Sequence, residues 1–317
     1  MKKRDIALAA AGGIGAAVAI KLLTRPKTVD WESAKRFVTH SDKSHFVSVD
    51  GMRVHYQEFG DAGDPPIILV HGYTASVYVW KTSAPKLAAE GFRVIAVDLI
   101  GYGYSEKPRW FEYSIQSQAR MVSRFMDRLG IGRAVLVGSS YGGAIAATIA
   151  LQEPERVDKL VMVDAVINDN LKNHPIMRLA ALPGLGEAIT PFVADSRAYM
   201  KVRMHGTIAE ANHHIIDDDR IDSALRPLRA ADGHHSLLAT SRNWSANHVT
   251  RDARFVSMPT LIVWGEKDTV IPIRDAYTLR DSIPGSRLVV IKDCGHVPQE
   301  EKSDAFSKVV GEFCVTG

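Results

Sequence analysis

Short continuous apolar runs recur along the chain from about residue 50 onward, separated by longer segments whose apolar positions follow helical spacing. Apolar runs without polar alternation are typical of strands that are buried on both faces of a parallel sheet. Their alternation with amphipathic segments therefore predicts a mostly parallel, doubly wound α/β fold. The predicted strands are 52–58, 67–70, 94–97, 135–137, 160–163, 261–264 and 288–291, and the predicted core helices are 79–90, 114–129, 142–152, 274–282 and 303–314.

Residues 167–253 interrupt this alternation, because they contain helical patterns but no strand-like run. The interval is too long for a connecting loop. We therefore predict a helical lid inserted at 167–253 into a core formed by 28–166 and 254–317, which serves both as a packed subdomain and as an apolar roof over a site. The helical patterns cover 175–193, 196–204 and 221–242.

The first 27 residues differ from the rest of the chain. Basic residues at 2–4 precede an uncharged apolar run at 6–20, and two leucines extend that run beyond Lys21. A bilayer core needs roughly 20 apolar residues, so residues 6–23 form a marginal membrane span. We expect 1–27 to be an uncleaved anchor that associates the protein with a membrane. The open alternatives are a signal segment cleaved near 17–19, which predicts a secreted or periplasmic protein, and a soluble tail.

The bulk composition narrows the function classes. The chain has 317 residues, of which 46% are hydrophobic, and this is enough for a large buried core. Its formal net charge of +3, without a basic cluster, argues against a nucleic-acid partner. The predicted elements place Cys294 and Cys314 roughly 18 Å apart, whereas a disulfide needs Cα atoms within about 7 Å. We therefore expect two free thiols.

The stretch Gly138-Ser139-Ser140-Tyr141-Gly142 carries the strongest chemical signal, because it joins a predicted buried strand to a predicted small-residue helix. A serine on such a junction is exposed at the carboxyl end of the sheet, and the following backbone N–H groups point at whatever its hydroxyl attacks. This context predicts that Ser140 is a nucleophile. Ser139 occupies the wrong motif position, so we expect a structural hydroxyl there.

A serine nucleophile needs a base, and the base needs a third group that holds its tautomer. Asp268 and His296 each follow a predicted strand downstream of the serine, and the order serine, acid, histidine is typical of hydrolases with this topology. We predict Asp268 as the acid and His296 as the base. Glu266 and Asp164 remain competing carboxylates, because each also follows a predicted strand.

The oxyanion that forms on attack needs fixed hydrogen-bond donors. We predict the backbone N–H groups of Tyr141 and Tyr73, the latter in the loop after the strand 67–70. His71 lies in the same loop but precedes the serine in chain order, so we expect it to brace the loop.

No metal ion and no organic cofactor are predicted. The pairs His213-His214 and His234-His235 are adjacent in sequence, whereas helical metal ligands often lie four residues apart so that they converge. No dinucleotide-binding fingerprint follows a predicted strand.

Five separated motifs, taken in order, resemble those of the α/β-hydrolase family. The resemblance covers about residues 46–316 and implies an α/β-hydrolase fold with the triad Ser140, Asp268 and His296. Epoxide hydrolases and haloalkane dehalogenases of this fold use a carboxylate nucleophile, and Ser140 argues against both. The motifs are His71-Gly72, the stretch from Asp98 to Ser105, that from Gly138 to Gly142, that from Gly265 to Asp268 with Ile271-Pro272, and that from Gly295 to Pro298 with Glu300.

The sequence thus predicts a serine hydrolase that forms an acyl-Ser140 intermediate. The apolar lid and the apolar N-terminal segment favour a lipophilic ester as substrate, and the membrane-anchored monoacylglycerol lipases and carboxylesterases of the family are the nearest analogy. Two alternatives stay open. One is a carbon–carbon bond hydrolase of the same fold that acts on a vinylogous diketone, and the other is a non-catalytic receptor for a small ligand.

Overall fold

Eight strands form one sheet in the computed structural model, which describes residues 28–173 and 175–315. The predicted anchor or signal segment at 1–27 lies outside the described residues. The strands are β1 (Ser44–Val49), β2 (Met52–Phe59), β3 (Pro66–Val70), β4 (Arg93–Val97), β5 (Ala134–Ser139), β6 (Val157–Val163), β7 (Thr260–Gly265) and β8 (Arg287–Ile291).

The sheet is mostly parallel, and its strand order is β1-β2-β4-β3-β5-β6-β7-β8. Only the pairs β1–β2 and β2–β4 are antiparallel, and the remaining neighbours run parallel. The predicted fold class is confirmed, and every predicted strand is present. The edge strand β1 was not predicted, because it is only half-buried and has no continuous apolar run.

Helices cover both faces of the sheet. Consecutive strand residues fall into two separate apolar clusters: Ile68 and Val70 belong to one, and Ile67 and Leu69 belong to the other. Because successive side chains of a strand point to opposite faces, both faces are buried, as the uninterrupted apolar runs predicted. The helices outside the interval between β6 and β7 are α1 (Trp31–Ala34), α2 (Ser83–Ala89), α3 (Ile115–Arg128), α4 (Tyr141–Gln152), α11 (Arg274–Ser282), α12 (Pro298–Glu301) and α13 (Ser303–Val315).

The described residues between β6 and β7 form six further helices, and we call residues 167–253 the helical insertion. Two of the predicted helical patterns are broken. Gly184, with a φ of 80°, separates the first two helices of the insertion, and a 3-10 turn at Arg226–Arg229 with Pro227 separates two later ones. The helices are α5 (Pro175–Ala181), α6 (Leu185–Val193), α7 (Arg197–Thr207), α8 (Asp218–Leu225), α9 (Ala231–Arg242) and α10 (Asn247–Asp252).

Two further findings concern the cysteines and the described helices. Cys294 and Cys314 are both free thiols, as predicted. Within 28–173 and 175–315, every helix is too short or too polar to span a bilayer.

Candidate active site

Ser140 occupies a strained turn between β5 and α4. Its φ of 54° and ψ of −116° lie outside the regions that residues with a side chain favour. The turn is held by backbone bonds to the neighbouring strand β6 and to the loop that follows it: the Ser140 N–H donates to the Val163 carbonyl at 2.8 Å, and the Ser140 carbonyl accepts from the Val166 N–H at 3.0 Å. The strain is therefore fixed by the sheet, as expected for a nucleophile that must stand at the strand end.

The glycines on either side of the serine are required by close packing. A Cβ on Gly138 would lie 2.2 Å from the Gly142 carbonyl oxygen, and a Cβ on Gly142 would lie 2.2 Å from the Val70 carbonyl oxygen. Real Cβ atoms do not approach backbone so closely, so neither position accepts a side chain. The crowded turn that the sequence predicted is present.

The loop after β3 lies directly against the serine. A Cβ on Gly72 would be 3.0 Å from the Ser140 Cβ and 3.5 Å from its Oγ. Tyr73 and Tyr141 follow these two residues in the chain, so both predicted donors lie at this end of the sheet. The Tyr73 hydroxyl donates to the Leu237 carbonyl at 3.0 Å and lies 2.9 Å from the Ser241 Oγ, which ties the loop to α9 of the helical insertion.

His71 braces the same loop. Its Nδ1 lies 2.8 Å from the Gly72 carbonyl oxygen, and its Nε2 accepts the Leu99 N–H at 3.1 Å. These two partners require a neutral ring that carries its proton on Nδ1, and burial lowers the pKa of His71 accordingly. The carboxylate of Asp98 supports the next turn, because it accepts the Val77 N–H at 2.8 Å.

Asp268 and His296 form a hydrogen-bonded pair between the ends of β7 and β8. The Asp268 Oδ2 lies 2.8 Å from the His296 Nδ1, while its Oδ1 accepts the N–H groups of Val270 and Ile271 at 2.7 and 3.1 Å. The carboxylate is fully buried, and the histidine side chain is 11% exposed. This geometry holds the imidazole with Nε2 free to face a nucleophile.

Glycine packing also fixes the two loops that carry this pair. A Cβ on Gly265 would lie 1.9 Å from the Gly295 carbonyl oxygen, so the ends of β7 and β8 touch through their backbones. The His296 N–H in turn donates to the Thr207 carbonyl at the end of α7, at 2.9 Å. The histidine is thus held by the core and by the helical insertion.

Two buried side chains near His296 were missed by the sequence analysis. The Glu301 Oε2 accepts the Gly295 and Ala209 N–H groups at 2.8 and 3.0 Å. The Gln299 Nε2 donates to the Ser139 Oγ at 3.2 Å, which joins the histidine loop to the serine turn and gives Ser139 the structural role expected of it. No local pattern could reveal these roles, because Ala209 and Ser139, which tie Glu301 and Gln299 to other elements, are distant in sequence.

Glu266 and Asp164, the two carboxylates that compete with Asp268 in the sequence, have different surroundings. The Glu266 Oε2 accepts the Asp293 N–H at 3.3 Å. Asp164, by contrast, lies in the site: one carboxylate oxygen of Asp164, one of Asp268 and one ring nitrogen of His296 all lie within 4.8 Å of one another. The motif residue Glu300 faces elsewhere and pairs with Arg220 at 2.6 Å.

The histidine pairs of the helical insertion have protein partners. His213 Nε2 lies 3.0 Å from the Ile208 carbonyl oxygen, and His234 Nε2 lies 2.9 Å from the Asp195 carboxylate.

Arg203 brings a positive charge to the loop after β3. It lies on α7, and its guanidinium donates to the Thr74 Oγ1 at 2.5 Å and to the Met200 sulfur at 3.4 Å. In the described part of the chain, no carboxylate pairs with it. Burial lowers the pKa of Arg203, and the nearby Arg220 lowers it further.

Comparison with known proteins places this geometry in a family. The chain matches the family model described as alpha/beta hydrolase fold over residues 65–303. The uncharacterized protein Rv2715 of Mycobacterium tuberculosis is 32% identical over 287 residues, which are 86% of this chain and 81% of that protein. The 2-hydroxymuconate semialdehyde hydrolase of Pseudomonas sp. (strain CF600) is 29% identical over 83% of this chain and 90% of that protein.

A solved structure agrees with these relatives. The crystal structure of a serine hydrolase involved in carbazole degradation, the CarC enzyme, superposes with a TM-score of 0.71 at 26% identity. The match covers 86% of this chain and 98% of that one. The chain belongs to the α/β-hydrolase family.

Proposed function

We propose that the protein is a serine hydrolase with Ser140 as nucleophile, His296 as base and Asp268 as the group that orients the histidine. The observation that carries this proposal is that the strained Ser140 turn and the Asp268–His296 pair lie at one end of the sheet, where the bond from Gln299 to Ser139 joins the histidine loop to the serine turn. His296 takes the serine proton as the oxygen attacks a carbonyl, and the N–H groups of Tyr73 and Tyr141 donate hydrogen bonds to the oxygen on which negative charge develops. Water then releases the acyl group from the serine.

A fluorophosphonate probe tests the nucleophile. We expect the wild type to be labelled and Ser140→Ala to remain unlabelled, whereas the matched variant Ser139→Ala keeps its label. Labelling that survives in Ser140→Ala would refute the assignment. A wild type that resists the probe but binds a small ligand tightly would support the non-catalytic receptor instead.

For the substrate, we infer a carbonyl compound that carries a carboxylate. Arg203 supports this inference, because a part-buried guanidinium that meets no counter-charge among the described residues costs free energy that an anionic ligand offsets. Thr74, which accepts the hydrogen bond from Arg203, directly follows the predicted oxyanion donor Tyr73. A carboxylate on Arg203 would therefore lie beside the carbonyl that Ser140 attacks.

Carbon–carbon bond hydrolysis fits such a substrate best. The relative from Pseudomonas is named for 2-hydroxymuconate semialdehyde, a compound with both a carboxylate and a carbonyl group. In this reaction, Ser140 adds to the carbonyl, and the tetrahedral intermediate collapses with cleavage of the adjacent carbon–carbon bond. The departing carbon takes the proton that His296 holds, and water hydrolyses the acyl-serine.

A lipophilic ester is the second candidate. It is favoured by the large apolar side chains that α5, α6 and the turn between them expose, including Leu179, Leu182 and Ile189. In this case an alcohol leaves in place of the carbon fragment, and the protein acts as a lipase or carboxylesterase. The predicted membrane association of residues 6–23 would suit such a substrate and remains a prediction.

One comparison of turnover separates the two candidates. We would measure kcat/KM for 2-hydroxymuconate semialdehyde, through the loss of its absorbance, and for p-nitrophenyl esters of increasing chain length. A higher kcat/KM for 2-hydroxymuconate semialdehyde than for the esters supports carbon–carbon bond hydrolysis. A preference that grows with ester chain length supports the lipase hypothesis.

A further inference from the structure

Two carboxyl groups reach His296 from neighbouring strands. Asp164 directly follows β6 and Asp268 follows β7, and these strands pair in parallel with Val163 opposite Val263. Asp164 is fully buried, with a φ of 40°, and its N–H donates to the Val263 carbonyl at 3.0 Å. The sheet itself therefore places a second acid beside the catalytic pair.

The hydrogen bonds of the two acids are unequal. Both Asp268 oxygens accept hydrogen bonds, from His296 and from the backbone. The Asp164 Oδ1 accepts the Gly265 N–H at 2.9 Å, but its Oδ2 is buried without a partner in the described part of the chain. A buried carboxylate oxygen without a donor is costly, whereas a protonated one is neutral.

Like charges so close together cannot both persist at low free-energy cost. The pKa of Asp164 is raised well above its usual value, chiefly by burial and then by the Asp268 charge. Glu301 adds a further negative charge, and the Cys294 thiol stays neutral because burial raises its pKa. The ring of His296, which becomes cationic when it takes the serine proton, lies against both aspartates.

We propose that Asp164 is a protonated positioning residue that shares a single negative charge with Asp268 and becomes the counter-charge of His296 when Asp268 is neutralised. The proposal rests on the proposed serine hydrolase function. In the wild type, the pair holds one proton and one charge, and Asp268 carries the charge because it has the donors. In Asp268→Asn the like charge is gone, so the pKa of Asp164 falls although burial still raises it, and its ionised carboxylate would lie within 4.8 Å of the histidine nitrogen.

Kinetics of a double-mutant cycle test the proposal. We would measure kcat/KM, or the second-order rate of fluorophosphonate labelling, for Asp164→Asn, Asp268→Asn and the double variant across pH. Asp164→Asn should stay within about tenfold of the wild type, and Asp268→Asn should lose roughly 100- to 1,000-fold, less than the roughly 10⁴-fold typical of a triad without any acid. The double variant should lose at least about tenfold more and should lack the rise of activity with pH that Asp164 gives.

Equal rates for Asp268→Asn and the double variant at every pH would overturn the proposal, because Asp164 would then only hold the Gly265 N–H. Asp275→Asn is the matched control. Asp275 is also buried, and burial likewise raises its pKa, but it pairs with Asn168 and lies on α11. It should leave the cycle unchanged.

Infrared spectroscopy gives a readout that does not depend on turnover. At about pH 8, the folded wild type should show the carbonyl stretch of a protonated carboxyl group, and Asp275→Asn should retain it. The band should be absent in Asp164→Asn, and in Asp268→Asn it should disappear at a lower pH than in the wild type, because the like charge that helps to raise the pKa of Asp164 is gone. A wild type without the band refutes the shared proton even if the enzyme proves inactive, and a failure of Ser140 labelling refutes only the proposed function. If Asp164→Asn does not fold, a lower pH of band loss in Asp268→Asn than in the wild type supports the proposal, and an unchanged pH of band loss refutes it.

Discussion

The carboxyl edge of the sheet and the helical insertion are built in opposite ways. At the edge, backbones touch so closely that glycine alone fits, as at Gly142 and Gly265. Apart from the backbone contact of Thr207 with the histidine loop, the insertion reaches the site through long side chains, as in the hydrogen bond from Arg203 to Thr74, and it exposes large apolar side chains to solvent. A backbone contact fixes position, whereas a side-chain contact can be exchanged without moving the chain. We therefore expect the edge to set the reaction and the insertion to set the choice of substrate.

The largest effect should come from the edge residue that reacts. Ser140→Ala removes the atom that forms the acyl intermediate, so kcat should fall about 10⁴- to 10⁶-fold. Initial rates at saturating substrate, on whichever substrate the wild type accepts, measure this. Thermal unfolding should change little, because alanine keeps the Cβ that packs against Gly72.

Ser139→Ala is the control, because this hydroxyl is adjacent in sequence and bonds to Gln299. It should cost less than about tenfold, in line with the loss of one neutral hydrogen bond. If both variants lost activity equally, the serine turn would be important for its shape alone.

Close backbone packing at the edge predicts the next effect. Gly265→Ala would put a Cβ 1.9 Å from the Gly295 carbonyl oxygen and must push the Asp268 and His296 loops apart. Overpacking typically costs about 1–3 kcal/mol, so urea unfolding should show a loss at the upper end of that range. Activity should fall further than stability, because the 2.8 Å bond between acid and histidine lengthens.

Gly132→Ala provides the matched comparison. A Cβ at this glycine meets no atom within 4 Å, and its φ is not in the left-handed region. Its unfolding free energy should stay within about 0.5 kcal/mol of the wild type. An equal loss in both variants would show that glycine content, and not the contact between β7 and β8, determines the stability.

The same contrast explains what the sequence could predict. Ser140, Asp268 and His296 each follow an apolar run, so strand prediction alone places them at one edge. Glu301 gave no such signal, because it accepts hydrogen bonds from Ala209 and Asn212, which lie 92 and 89 residues away. The role of Arg203 likewise follows only from its hydrogen bond to Thr74, which lies 129 residues away. Strand ends are encoded locally, but the contacts of an inserted helix are not.

A smaller effect is expected where the insertion touches the site. Arg203→Met removes the charge but keeps a long side chain, so KM for a carboxylate-bearing substrate should rise about 10- to 100-fold, as for loss of a hydrogen bond to a charged group. KM for a neutral ester should change little, and Arg203→Lys should give an intermediate KM because it keeps the charge without the planar fork. A rise in KM that is equal for both substrates would instead mean that Arg203 only holds the loop at Thr74.

The smallest effect should come from the outer face of the insertion. Leu182 and Ile189 are 51% and 37% exposed, so replacing both by serine should change the unfolding free energy by no more than about 0.5 kcal/mol. If this face guides lipophilic esters, the double variant should raise KM for a long-chain p-nitrophenyl ester about three- to tenfold, since each buried CH₂ contributes about 0.8 kcal/mol. The KM for the acetate ester should be unaffected.

Val202→Ser is the control, because it also removes exposed apolar surface from the insertion. Val202 lies on α7 and is 70% exposed, and its replacement should leave both KM values unchanged. A shift of equal size with the short ester, or with Val202→Ser, would mean that the exposed apolar face plays no part in substrate choice, and the contrast between edge and insertion would then rest on Arg203 alone.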